Sequence, residues 1–293
     1  MTNDSLSVLI GLLYAFLSLF LFILNLVDFL ILTRYSEYKT LAYFIIKHML
    51  FGCLMQLGSL FIGAIMTIFN TNFHWILERL VGAWLQSGWF LYLGSSLALA
   101  VERSLTFITY NHDDRTRRIT YACLCLAWIL AIFYFVALNI PGFGFTYFSS
   151  KGCYSWFYTS DQEGSYHLLI LEIFLDFTIL VTCLILYVIV VIQIASRKSS
   201  LVVSSCTMAE YRILATSLIS FCYESTYLLW FFWGINLIAD QMFISVIVSV
   251  LWIVDCGFLS ILTIIINSSF REKIFAQFRS TKTKVVRIAI ASR

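Results

Sequence analysis

The chain has 293 residues, of which 61% are hydrophobic and 12% charged, with a formal net charge of +3. An ordinary soluble domain is about 45–50% apolar and about 25% charged, so a soluble fold of this length could not hide so much apolar surface. One proline and no Ser/Gly/Pro-rich stretch leave no room for long linkers or a second domain, and so small a net charge gives no sign of a nucleic-acid partner.

A helix needs about 20 predominantly apolar residues to cross a bilayer. Seven such runs stand between polar breaks: about 6–32, 41–69, 80–108, 119–140, 166–194, 213–237 and 242–266. The first is preceded only by Asp4, so it lacks the basic start of a cleaved signal, and it is too long for one; it is expected to remain as a helix. The shortest break is Asn236–Gln241. The expected architecture is all-α: a polytopic seven-transmembrane helix bundle over residues 1–270, followed by a cytoplasmic segment over 271–293.

Lysine and arginine placement orients the bundle. Sixteen of the nineteen fall on one side: Arg34 and Lys39; Arg103, Arg115, Arg117 and Arg118; Arg197, Lys198 and Arg212; and seven from Arg271 to Arg293. Arg79 and Lys151 lie on the other side, and Lys47 sits within a span. The basic side is therefore expected in the cytoplasm and the N-terminus outside, where Asn3-Asp4-Ser5 forms a glycosylation sequon. Asn267-Ser268-Ser269 is a second sequon, on the wrong side for modification.

Six of the eight cysteines (Cys53, Cys123, Cys125, Cys183, Cys222 and Cys256) fall within spans, where cysteine packs as a small apolar residue. None has metal-ligand spacing, and His48, His74, His112 and His167 are scattered over different depths, so neither a metal nor another cofactor is expected.

The third span closes on Glu102-Arg103-Ser104. Two readings of this pair stand side by side. Arginine's fork of donors can hold a neighbouring carboxylate in one state and other acceptors in another, or both side chains can simply snorkel to the headgroups. Seven spans with this triplet resemble the rhodopsin-like G-protein-coupled receptors, whose third span ends in acid–Arg–Tyr. Asn25 in the first span, Trp128 in the fourth and Tyr187 low in the fifth resemble that family's residues at the same places. Asn267-Ser268-Ser269-Phe270-Arg271 resembles its entry into a short amphipathic eighth helix, with Phe270, Ile274 and Phe278 at four-residue steps. The chain also departs from the pattern. Cys53 replaces an aspartate, and Glu78 stands where a cysteine would pair with Cys153, which leaves Cys153 without its usual partner. Leu259-Ser260-Ile261-Leu262-Thr263 replaces Asn-Pro-x-x-Tyr, and no seventh-span lysine exists for a retinal Schiff base, so an opsin is excluded. A retained frame with such departures, and very aromatic spans, is most similar to the nematode serpentine chemoreceptors.

Ionisable groups inside a membrane are functional-site candidates. Glu172 and Asp176 are four residues apart in the fifth span, hence on one helix face, where two carboxylates in low dielectric resist double ionisation. A cationic ligand would relieve that repulsion; hydrogen bonds to neighbouring helices would serve equally. On the receptor resemblance, the third span offers Gln86, Trp89 and Phe90 to a ligand, and the sixth offers Tyr223, Tyr227 and Trp230. Asp28 and Lys47 are expected to neutralise each other, while Glu224 and Asp255 have no evident cation.

The resemblance implies a plasma-membrane receptor, in a sensory cilium or elsewhere, that detects a small molecule outside and signals through a heterotrimeric G protein. Glu102, Arg103 and Tyr187 would form the switch, with Arg103 facing Tyr187 and the inner end of the sixth span. Arg115, Arg197 and Lys198 would supply the G-protein face, although anionic lipid would also attract these cations. The alternative is a transporter or channel, against which seven spans do not divide into equal repeats. No helical spacing produces a catalytic set, so an enzyme is not expected.

Overall fold

The computed structural model describes residues 3–109, 114–148, 154–159, 161–197, 208–234, 241–268 and 270–274. Seven long helices lie on the seven apolar runs: α1 Asn3–Arg34, α2 Leu41–Phe69, α3 Trp75–Thr109, α4 Asp114–Asn139, α5 Glu163–Arg197, α6 Met208–Trp233 and α7 Gln241–Ile266. The chain is not wholly helical. Between α4 and α5, β1 (Phe145–Phe148) pairs antiparallel with β2 (Ser155–Tyr158), Tyr147 opposite Trp156. Both strands are short aromatic runs, a composition that suits a pleated, half-buried ribbon.

Many large apolar side chains face outward while polar ones turn inward to join the buried core, unlike a soluble protein. In α1, Leu12, Phe16, Phe20 and Ile23 are exposed, Phe16 to 69%, while Ser18, Asn25 and Asp28 are buried. A helix in lipid gains nothing by hiding leucine, whereas a polar group facing hydrocarbon goes unpaired, so polar residues turn to the bundle interior. By length and composition, α1, α2, α4, α5 and α7 can each cross a membrane. Helices α3 and α6 are more polar because their neighbours supply the surroundings that lipid supplies elsewhere. From Val81 to Ala100, only Trp84 and Leu97 of α3 are not buried. Likewise α6 turns Thr216, Ser217, Ser220 and Glu224 into the bundle.

Helix α3 is the axis, touching α2, α4, α5, α6 and β1, while α1 against α7 closes the ring. A polar chain joins α1, α2 and α7. Ser260 donates to Asn25 Oδ1 (3.1 Å), Asn25 Nδ2 donates to the Cys256 carbonyl (3.2 Å), and Trp252 Nε1 donates to Gln56 Oε1 (2.8 Å). Cys256 Sγ lies 3.5 Å from the same Gln56 oxygen. The expected neutralisation of Asp28 by Lys47 does not occur. Lys47 Nζ instead lies 5.5 Å from the centre of the Phe44 ring, and neither Asp28 carboxylate oxygen has a hydrogen-bond partner among the described residues. A lysine stem is long enough to swing along its own helix to an aromatic face, which leaves the acid deeper in the bundle.

After α7 the chain turns back onto the link between α1 and α2. Arg271 Nη1 donates to the Ile264 and Ile265 carbonyls (2.9 and 2.5 Å), satisfying helix-end acceptors. Phe270 is buried edge-on to Tyr38, and Lys273 pairs with Glu37 at 2.5 Å.

Candidate ligand-binding site

The β1–β2 hairpin folds over one end of the bundle and is fastened there by the first turn of α3. Glu78 Oε1 accepts the Tyr147 amide (2.8 Å) and Asn72 Nδ2 (2.9 Å), and the same Asn72 nitrogen reaches the Tyr147 carbonyl (2.8 Å). The turn that delivers Asn72 is strained: Asn70 and Phe73 have φ of 47° and 55°. Such non-glycine left-handed residues persist where surrounding contacts over-determine them, as the Asn72 bonds do here. Next door, Arg79 Nε donates to the Leu138 carbonyl (3.0 Å) and Nη2 to the carbonyls of Ile140 and Phe143, the latter at 2.9 Å, tying the end of α4 to α3. Glu78 is thus a non-covalent anchor for this loop. Burial raises its carboxyl above the usual glutamate value, while the Tyr147 amide and Asn72 pull it back down.

Gly82, one turn further on, lets the hairpin lie flat on α3. A Cβ there would sit 1.9 Å from the Phe145 carbonyl oxygen, so only glycine fits.

Beneath the hairpin is a cavity of about 140 Å³. Trp89 of α3, Glu172 and Asp176 of α5, Tyr227 and Phe231 of α6, and Trp252 of α7 form its walls, with Phe145, Trp156, Phe157 and Tyr158 of the hairpin above. The rings of Trp89, Tyr227 and Trp252 are mutual neighbours, centroids 6.0–6.5 Å apart. Trp89 Nε1 donates to Asp176 Oδ1 (3.3 Å), and Gln86 Nε2 donates to Tyr158 Oη (3.2 Å). Asp176 is 0% and Glu172 7% exposed, yet Asp176 Oδ2 and Glu172 Oε2 have no hydrogen-bond partner among the described residues.

Of the residues singled out in sequence, Trp89, Glu172, Asp176 and Tyr227 come together at this cavity, with Gln86 beside them through Tyr158. The other three do not line it. Phe90 stacks on Tyr134 of α4 (3.7 Å), one step around the helix from Trp89. Tyr223 stacks on Phe258 (4.4 Å) and donates to the Leu251 carbonyl, so it serves the α6–α7 contact. Trp230 packs against Gly234, just past the end of α6. The hairpin aromatics and Trp252 were missed, because strand pairing and the facing of α7 depend on tertiary placement. The run Ser155-Trp156-Phe157-Tyr158 was the available signal for a strand.

At the opposite end of α3, Arg103 Nε and Nη2 fork onto Glu102 (2.5 and 2.8 Å), and Thr106 adds a third bond to that carboxylate. Both are buried, 2% and 0% exposed, so neither snorkels to a surface. Arg103 does not bond Tyr187 as expected: with Glu102 adjacent, the guanidinium closes a bidentate pair locally and leaves only Nη1 free. Tyr187 packs on Phe221 of α6 (5.4 Å). Arg115 is exposed at the start of α4. Lys198, Cys153 and the side chains of Asn3 and Arg197 lie outside the described residues.

No family model matches the chain, and no curated protein matches it in sequence. Among solved structures it is similar to squid rhodopsin, with a TM-score of 0.74 at 12% identity over 96% of this chain and 87% of that one. At so low an identity the likeness is one of fold. The chain is a multi-pass helical membrane protein with the rhodopsin-like seven-helix fold.

Proposed function

We propose that the chain is a G-protein-coupled receptor of chemosensory type, which detects a small molecule in the cavity under the hairpin and signals through a heterotrimeric G protein. The observation that carries this is the placement, within one rhodopsin-like fold, of an aromatic cavity with unpartnered carboxylate oxygens at one end of α3 and a buried Glu102–Arg103 fork at the other. The N-terminus and hairpin face outward. Glu102, Arg103, Arg115, Arg197 and Lys198 face the cytoplasm with the segment from Arg271 onward, whose Phe270-side turn begins a helix along the membrane surface. The sixteen basic residues gathered on that side support this orientation.

The ligand must favour one conformer over another to transmit anything. Trp252 is placed to report it, since it forms cavity wall on one face and donates to Gln56 of the α1–α2–α7 polar chain on the other. At the inner end, breaking the Glu102–Arg103 fork would free Arg103 for other acceptors. The rhodopsin-like fold lends the transporter or channel alternative no support.

The test is G-protein activation in a heterologous cell membrane. Glu102→Gln, which loosens the fork without changing its shape, is expected to raise basal activation several-fold, and Arg103→Ala to abolish it. Activation that ignores both substitutions, at equal surface expression, would overturn the switch.

A further inference from the structure

We infer that the cavity under the hairpin binds a small protonated amine, held between Glu172 and Asp176 and boxed by aromatic faces. This rests on reading the cavity as the receptor's ligand site.

Two facts point to a cation with N–H donors. Glu172 and Asp176 are both more than nine-tenths buried, and each turns one carboxylate oxygen, Oε2 and Oδ2, to no hydrogen-bond donor. A buried carboxylate oxygen without a donor costs free energy, which an arriving donor recovers. The second fact is that, among the described residues, no lysine, arginine or histidine lines the cavity. The remaining wall is aromatic. Trp89, Tyr227 and Trp252 offer π faces, which attract a cation without competing for its donors. An ammonium group has N–H bonds for both open oxygens and a charge for the rings. An anion would meet two acids, and a hydrocarbon would leave both oxygens unsatisfied.

Size narrows the class. An apolar protein cavity of about 150 Å³ holds a molecule the size of benzene. At about 140 Å³ this one takes an amine of about six to ten non-hydrogen atoms. Peptides and bulky polycyclic amines are too large. Selectivity over the corresponding alcohol comes from charge, since a hydroxyl brings one donor to two open acceptors.

Binding is measured directly on the purified full-length chain in lipid nanodiscs, apart from any G protein. The probes are n-hexylamine, cyclohexylamine and benzylamine, each beside its alcohol. At least one amine is expected to bind the wild type at least tenfold more tightly than its alcohol. Glu172→Gln and Asp176→Asn are each expected to weaken that amine about tenfold to a hundredfold, the loss of one charge-assisted bond. Both substitutions are nearly isosteric, and a cooperative melt without ligand, at or above the wild-type temperature, confirms that they fold. If no amine binds at about 1 mM, if the alcohols bind as well, or if both variants bind amine like the wild type, the inference fails. The G-protein assay separates the two claims. Amine binding without activation overturns the receptor reading and leaves the amine site, whereas activation by a neutral ligand only does the reverse.

Discussion

Replacing Glu78 by alanine should unfasten the hairpin from α3 without harming the bundle. The side chain gives one oxygen to two donors, the Tyr147 amide at 2.8 Å and Asn72 Nδ2 at 2.9 Å. Hydrogen bonds to a charged acceptor contribute about 1.5–3 kcal/mol each when buried. Glu78 is half-buried, so about 1–1.5 kcal/mol per bond is the better figure, or about 2–3 kcal/mol for the pair. Most of that falls on Tyr147, which is itself buried and donates its amide to Glu78. Asn72 keeps its bond to the Tyr147 carbonyl, so the turn is loosened rather than lost. Hydrogen exchange on the solubilised protein reads this locally. A loss of about 2 kcal/mol corresponds to an amide exchanging about thirtyfold faster at Tyr147, with amides of α3 unaffected. Unchanged protection at Tyr147 in Glu78→Ala would refute the anchor.

Acidification probes the same residue with a definite sign. Burial raises the Glu78 carboxyl, so the folded protein holds that proton to higher pH than the unfolded chain does. The stability it contributes is full below the unfolded value, about 4.3, and is lost as pH rises through the raised folded value. The melting temperature of wild type relative to Glu78→Gln should therefore climb as pH falls from neutral towards that value, and a flat difference would contradict the assignment. Gly82→Ala puts a methyl 1.9 Å from the Phe145 carbonyl oxygen, which must push the hairpin off α3 at a cost of about 1–3 kcal/mol. Amine binding should fall with it while helix content by circular dichroism stays unchanged. Trp252→Phe keeps an aromatic wall but deletes the donor to Gln56 at 2.8 Å, leaving that buried amide oxygen only the weak Cys256 thiol at 3.5 Å. Evoked G-protein activation should drop more than ligand affinity, and equal losses would show that Trp252 only shapes the cavity.

The acidic pair and the arginine fork show how far local sequence reaches. Glu172 and Asp176 shared a face from spacing alone, because four residues is one helical turn. What they face depends on where α5 sits against α3 and α6, which no spacing encodes. Trp89 and Phe90 are adjacent in sequence and both aromatic, yet one lines the cavity and the other stacks on Tyr134. Glu78 was legible only as a missing cysteine. Its role emerged when the Asn70 turn and β1 arrived at the same place from opposite directions.

By itself the sequence determined the seven helices and the polar-inward character of the bundle, since apolar runs of spanning length and an outward-facing oily surface follow from transfer free energies that act residue by residue. It also determined the adjacency of Glu102 and Arg103, whose pairing needs no other element. Only tertiary structure decided the hairpin, the Glu78 and Arg79 anchors, and the cavity with its open carboxylate oxygens. These come from contacts between residues far apart in the chain, chosen by which faces pack most closely rather than by the preference of any one segment.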